Sequence, residues 1–115
     1  MTLRQKQSEF VRLVAELIQF AYDLGYELTF GETYRSPEEA ERLEELGKGI
    51  KNSLHTFKLA IDLNLFSNGK YLSSTESHRK LGEWWEEQST NEFICCWGGR
   101  FGDGNHYSIG HNGKK

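Results

Sequence analysis

The sequence lacks the basic excess that marks a nucleic-acid binder: seventeen acidic residues against fourteen basic ones leave a formal net charge of -3. Without that footprint for a phosphate backbone, nucleic acid is excluded as an expected partner. Cysteine is equally scarce. Cys95 and Cys96 stand side by side in an apolar stretch, where a bridge between neighbours would be strained and no long-range disulfide framework can form. They read as buried free thiols made in a reducing compartment. No apolar run approaches the roughly 20 residues of a membrane-spanning helix, which excludes membrane insertion. The start, MTLRQKQSEF, lacks the basic, apolar and small-residue order of a secretory signal, so synthesis in the cytoplasm without a signal peptide is expected. Repeats, low-complexity tracts and linkers are also missing. The 115 residues are therefore expected to form one unit, residues 1–115.

Aromatic residues, by contrast, are plentiful: three Trp, five Tyr and seven Phe supply the bulk for a modest core. From Gln7 to Leu24, the apolar positions Phe10, Val14, Leu17, Ala21 and Leu24 recur at steps of four and three, which predicts an amphipathic helix stopped by Gly25. Tyr26, Leu28 and Phe30 alternate with Glu27 and Thr29, as in a strand buried on one side. Ser36-Pro37-Glu38-Glu39 is a helix-start signature with a capping box, predicting a helix from Pro37 to about Leu46 and a loop from Gly47 to Ser53. Leu59 to Phe66 alternates again, Asn68-Gly69 marks a hairpin turn into a strand at Tyr71, and Ser74 or Thr75 caps a helix carrying Leu81, Trp84 and Trp85. Phe93 to Trp97 is strand-like, followed by a glycine-rich loop that ends at His106 and Tyr107. The expected fold class is α+β, with helices packed on a small, mainly antiparallel sheet.

Two of the four histidines lie near carboxylates in segments whose polarity needs a reason. His55 precedes a strand in which Asp62 faces away from Leu59, Ile61 and Leu63, so the two side chains can meet at the rim of a cleft. His106 follows Asp103 by three residues, with Gly104 between them permitting a tight turn. Two imidazoles and one carboxylate form a three-ligand catalytic zinc site with a fourth position left open, and Asp103 is then the spare carboxylate able to take a proton from water. The plainer alternatives are a lysine partner for Asp62 and a turn-forming role for Asp103. His78, in a polar helix turn, and His111, in a glycine-rich tail, carry no expected function.

The segment from Ser53 to Asp62 resembles the S-x-H-x-x-G-x-A-x-D signature of the D-alanyl-D-alanine carboxypeptidase and L-alanyl-D-glutamate endopeptidase family, the LAS-type zinc peptidases that include phage endolysins. Trp97 to Tyr107 is similar to the family's second signature, an aromatic and glycine-rich stretch ending in a carboxylate, two residues and a histidine. Tyr34-Arg35-Ser36 resembles its upstream Tyr-Arg-Ser element. The resemblance implies zinc held by His55, Asp62 and His106, Asp103 as general base, and Arg35 in the active site, binding a substrate carboxylate or the developing oxyanion. Ser53 is expected among the substrate contacts; Trp97, close to the metal loop, is expected either to line the cleft or to pack, and the plainer alternative for Arg35 is an ion pair with the helix Glu38 to Glu45. Lys58 departs from the signature, standing where glycine is usual. The implied activity is hydrolysis of the L-alanyl-D-glutamate bond of the peptidoglycan stem peptide by a monomer acting in the periplasm or cell wall after holin-dependent release. A D-alanyl-D-alanine carboxypeptidase and a non-catalytic zinc-holding module are the alternatives.

Overall fold

Helix α1 (Leu3–Asp23) starts four residues before the apolar periodicity does, because Thr2 and Gln5 form a reciprocal capping box ahead of a largely polar first turn. Its buried face is Phe10, Leu13, Val14, Leu17 and Ala21. Leu24, expected on that face, is the exposed C-cap, and Leu13 takes its share of the core. The computed structural model describes residues 1–50 and 53–115. The predicted loop from Gly47 to Ser53 therefore includes residues 51 and 52, which lie outside the described residues.

Strand β1 (Glu27–Phe30) follows, then helix α2 (Pro37–Glu45), where half of the expected capping box forms. The Ser36 hydroxyl accepts the Glu39 N–H, but the Glu39 carboxylate turns to Arg42 and not back to the cap. After a 3₁₀ turn at Leu54–Phe57 come β2 (Ala60–Ser67), β3 (Lys70–Leu72), a second 3₁₀ turn at Glu76–His78, and α3 (Arg79–Glu87). Strand β4 (Cys95–Trp97), a third 3₁₀ turn at Gly98–Phe101 and β5 (His106–Ile109) complete the order. The Asn68-Gly69 turn carries φ of 51° and 77°, the left-handed pair that a two-residue hairpin requires.

The five strands form one sheet in which every pairing is antiparallel. Long β2 is its axis. β1 lies along one edge, and β5 and β3 share the other, with β4 beyond β5. One face of β2 sends Leu63 and Leu65, both fully buried, into a core shared with Leu17, Leu81 and Trp85. Each such leucine contributes on the order of 1.5–3 kcal/mol relative to exposure. Helices α1 and α3 cover this face, locked by the edge-on contact of Phe10 with Trp85 and the stacked pair Phe20–Trp84. Among the described residues no helix is long and apolar enough to cross a membrane.

Trp97 explains two glycines. A Cβ on Gly82, in the middle of α3, would lie 2.0 Å from the indole, and one on Gly99 would lie 2.2 Å from it. The ring is 1% exposed and its N–H donates to the Gly104 carbonyl at 2.7 Å. Glycine inside a helix costs about 1 kcal/mol relative to alanine; here that cost admits a buried tryptophan beneath the loop leading to His106.

Candidate metal centre

The other face of β2 carries the polar cluster. Strand alternation turns Asp62 away from Leu63, and its backbone is clamped from β1's continuation by Gly31 N–H to Asp62 O and Asp62 N–H to Glu32 O, both 2.8 Å. His106 is the cross-strand partner of Asp62 on β5, so register alone brings the two side chains together. His55 arrives from the 3₁₀ turn before β2. Ser53 caps that turn by accepting the His55 N–H at 3.1 Å, and Lys58 ends it in the left-handed region at φ 58°.

The three side chains converge on one carboxylate oxygen. Asp62 Oδ1 lies 3.4 Å from His55 Nε2 and 3.3 Å from His106 Nδ1, and donor atoms from all three residues lie within 4.8 Å of one another. His55 Nδ1 lies 2.9 Å from the Thr33 carbonyl, so it carries the proton there and leaves the Nε2 lone pair facing the cluster. Among the described residues Asp62 Oδ1 is buried without a hydrogen-bond partner. A buried acceptor between two imidazole nitrogens, one with its tautomer fixed from behind, is a donor set that fits a zinc ion and is poorly satisfied without a cation.

The charges respond accordingly. Burial would raise the Asp62 pKa, but the two imidazoles outweigh it and hold the carboxyl down to about 2. Burial would lower that of His55, yet Asp62, the Thr33 carbonyl and Glu32 raise it overall. Asp103 differs from Asp62. Loss of solvation pushes its carboxyl up, Asp62 adds to the rise, and the two histidines oppose it. A carboxyl moved toward neutral pH is a better proton acceptor than an ordinary aspartate.

Asp103 lines the same cleft as the three candidate ligands, an opening of about 240 Å³ that also touches Arg35, Lys48, Ser53 and Phe101. Its backbone makes the turn, accepting the His106 N–H at 3.1 Å and donating to Gly98 O at 2.8 Å. Gly104 serves this loop through proximity: a Cβ there would sit 2.5 Å from Thr75 Cα, while Gly102 carries the positive φ of 82°. Arg35 lies in the cleft with its backbone N–H on His55 O at 3.2 Å. Its ion pair is with Glu32, and its charge joins that of Arg42 in lowering the Glu39 pKa at the start of α2. Ser53 is at the wall, its hydroxyl engaged in capping the His55 turn. Trp97, expected among substrate contacts or as packing, is placed in the core under the loop.

Glu32 was not singled out by sequence, yet it joins three site residues: its carboxylate pairs with Arg35 and lies 3.8 Å from His55 Nδ1, and its carbonyl holds Asp62. Its one signal was its place in the polar segment between Phe30 and Arg35. Thr33 acts through its carbonyl, which no side chain announces. Phe101, 57% exposed at the cleft mouth, sits in a motif read for its glycines.

No protein-family model matches this chain, and no curated protein matches it. Among solved structures, the crystal structure of the Serratia marcescens L-Ala D-Glu endopeptidase ChiX superposes with a TM-score of 0.67 over 90% of this chain and 79% of that one, at 17% sequence identity. At that identity the likeness concerns the fold: this chain shares its α+β fold with that endopeptidase.

Proposed function

We propose that this protein is a zinc-dependent peptidase that hydrolyses the L-alanyl-D-glutamate bond of peptidoglycan stem peptides. The observation that carries the reading is the convergence of His55 Nε2 and His106 Nδ1 on the partnerless Asp62 Oδ1 in a cleft that also holds Asp103. The endopeptidase fold shared with ChiX supports the choice of substrate class. A zinc ion held by His55, Asp62 and His106 supplies Lewis acidity toward the peptide carbonyl and acidifies water to a pKa of about 7.

The chain's own residues supply the rest. Asp103, in the cleft and with a raised pKa, takes the proton of the attacking water and returns it to the leaving amine. Arg35, held by Glu32, presents its guanidinium to a substrate carboxylate or to the charge developing on the carbonyl oxygen. A closed structural zinc site fills all four positions with protein and needs no spare carboxylate, which favours catalysis over a mere zinc-holding module.

The test is digestion of purified sacculi by the zinc-loaded protein, followed by mass spectrometry. Released peptides with a new N-terminal glutamate are expected. Loss of terminal alanine alone would replace this reading with a carboxypeptidase, and intact sacculi together with zinc-free protein would overturn it. Action in the periplasm or cell wall after phage-type release belongs to the same proposal and is checked by co-expression with and without a holin.

A further inference from the structure

The sheet face that carries Asp62 continues past it. Asp62, Asn64 and Phe66 alternate with the buried Leu63 and Leu65, so they point to the same open side of β2. Asn64 is opposite Thr29 on β1 and receives no cover there: its Nδ2 donates to Thr29 Oγ1 at 3.2 Å in an exposed bond. Phe66 is opposite Tyr71 on β3, with ring centroids 5.3 Å apart and planes tilted by 44°. Tyr71 is 53% exposed, and Phe66 stands outside the core cluster. Two aromatic side chains, the small polar Asn64 and Thr29, and the exposed Glu27 opposite Phe66 thus share an open shelf on the strand face that carries Asp62.

We propose that this shelf binds the saccharide to which the stem peptide is attached; the inference rests on the peptidase reading above. A pyranose ring offers an apolar C–H face and a rim of hydroxyls, which matches an aromatic pair bordered by amide and hydroxyl groups. The spacing agrees. Four residue-to-residue steps of strand lead from Asp62 to Phe66, about 13 Å at roughly 3.3 Å each. In peptidoglycan, a lactyl unit and one alanine lie between the muramyl ring and the scissile bond. Two such units span about 7 Å, and the ring extends a few Å further.

Polarity agrees as well. Arg35 is tied to the His55 turn at the N-terminal end of β2, and the cleft there also includes Lys48 and Lys115. That cationic end suits the carboxylates on the glutamyl side of the bond. The shelf leads the opposite way, toward the C-terminal end of β2, where the alanyl and sugar side must go.

The experiment compares the zinc-loaded full chain on two substrates with identical peptides, one free and one carrying the N-acetylglucosaminyl-N-acetylmuramyl disaccharide. The sugar-bearing substrate is expected to have a KM about tenfold lower, the effect of a stacking contact worth about 1.4 kcal/mol. Phe66→Ala and Tyr71→Ala should each erase most of that difference while leaving kcat/KM for the free peptide within about twofold. Because Phe66→Ala also removes a cross-strand contact, Tyr71→Ala and melting curves of both variants separate binding from folding. A second measurement is independent of catalysis: titration of the metal-free protein with the disaccharide alone should shift the amide resonances of Asn64, Phe66 and Tyr71. Absence of sugar preference in an active enzyme, its survival in both variants, or a disaccharide that shifts no shelf resonance would each overturn the proposal. Failure of the peptidase reading would instead show as no cleavage of either substrate with the shelf shifts still present.

Discussion

Asp62 and Asp103 are the same residue type in one cleft, and their surroundings assign them opposite work. Asp62 is clamped by two backbone hydrogen bonds, flanked by two imidazoles and held down to about pKa 2, so it is an anion at any working pH. Asp103 sits on a loop at the wall of the cleft and is pushed upward by lost solvation. Replacing Asp103 with Asn preserves shape and removes the base. Zinc content and melting temperature are expected to stay near wild type while turnover falls by about 10²- to 10⁴-fold. Asp62→Asn exchanges an anionic ligand for a neutral amide, so zinc occupancy and rate should fall together. Metal analysis and a wall-digestion assay on the two variants decide the matter: full activity in Asp103→Asn returns that residue to a turn former, and loss of zinc from it makes it a ligand.

At the scale of elements, the 3₁₀ turn that delivers His55 ends at a residue in a costly conformation. Lys58 has φ 58° and ψ 37°, where glycine loses nothing and other residues pay about 1 kcal/mol or more. Its ammonium lies 5.3 Å from the Tyr34 ring centre, a contact worth about 0.5–1 kcal/mol at an exposed site. Lys58→Gly and Lys58→Ala both lose that contact, but only glycine relieves the backbone. The glycine variant is therefore expected to be about 1 kcal/mol more stable than the alanine variant by urea denaturation, and equal midpoints would show that the turn carries no such strain. This turn also marks the boundary of what sequence can tell. The apolar spacing of Phe10 to Ala21, the alternation of Leu59 to Leu65 and the Asn68-Gly69 turn announced their elements because each reflects a local rule. The pairing of Asp62 with His106 was legible as a motif, whereas its cause, the β2–β5 register, is a long-range property. Thr33 stayed hidden because it acts through its backbone carbonyl, Glu32 because its links to His55 and Asp62 arise only when distant segments meet, and the packing of Trp97 was not legible because Gly82, which makes room for it, is fifteen residues away in another element.

The whole molecule has a pH response that the candidate metal centre does not dictate. His78 is 2% exposed, with Nδ1 2.8 Å from the Tyr107 hydroxyl, and burial lowers its pKa from 6.5 to about 4. The unfolded chain therefore takes up a proton near pH 6.5 that the folded one refuses until about pH 4. Stability falls as pH drops through that window, by about 1.4 kcal/mol per unit and about 3 kcal/mol in all. Against a typical total of about 5–15 kcal/mol, this is a large fraction. His55 acts in the other direction and elsewhere. Its raised folded pKa gives a stabilisation that is fully present below the unfolded value of 6.5 and is lost as pH rises through the folded one. Asp62, with its pKa lowered from 3.8 to about 2, contributes above 3.8 and loses that contribution as pH falls toward 2. The metal-free protein should therefore be most stable near pH 6.5, with a slope between 6.5 and 4 that belongs chiefly to His78. Urea midpoints of metal-free wild type and His78→Gln across pH 4 to 8 measure it directly. The glutamine variant retains a group able to hydrogen-bond Tyr107 but cannot titrate, so its profile should be flatter by about 3 kcal/mol over the window; parallel profiles would mean that His78 takes up its proton in the folded state as readily as in the unfolded one.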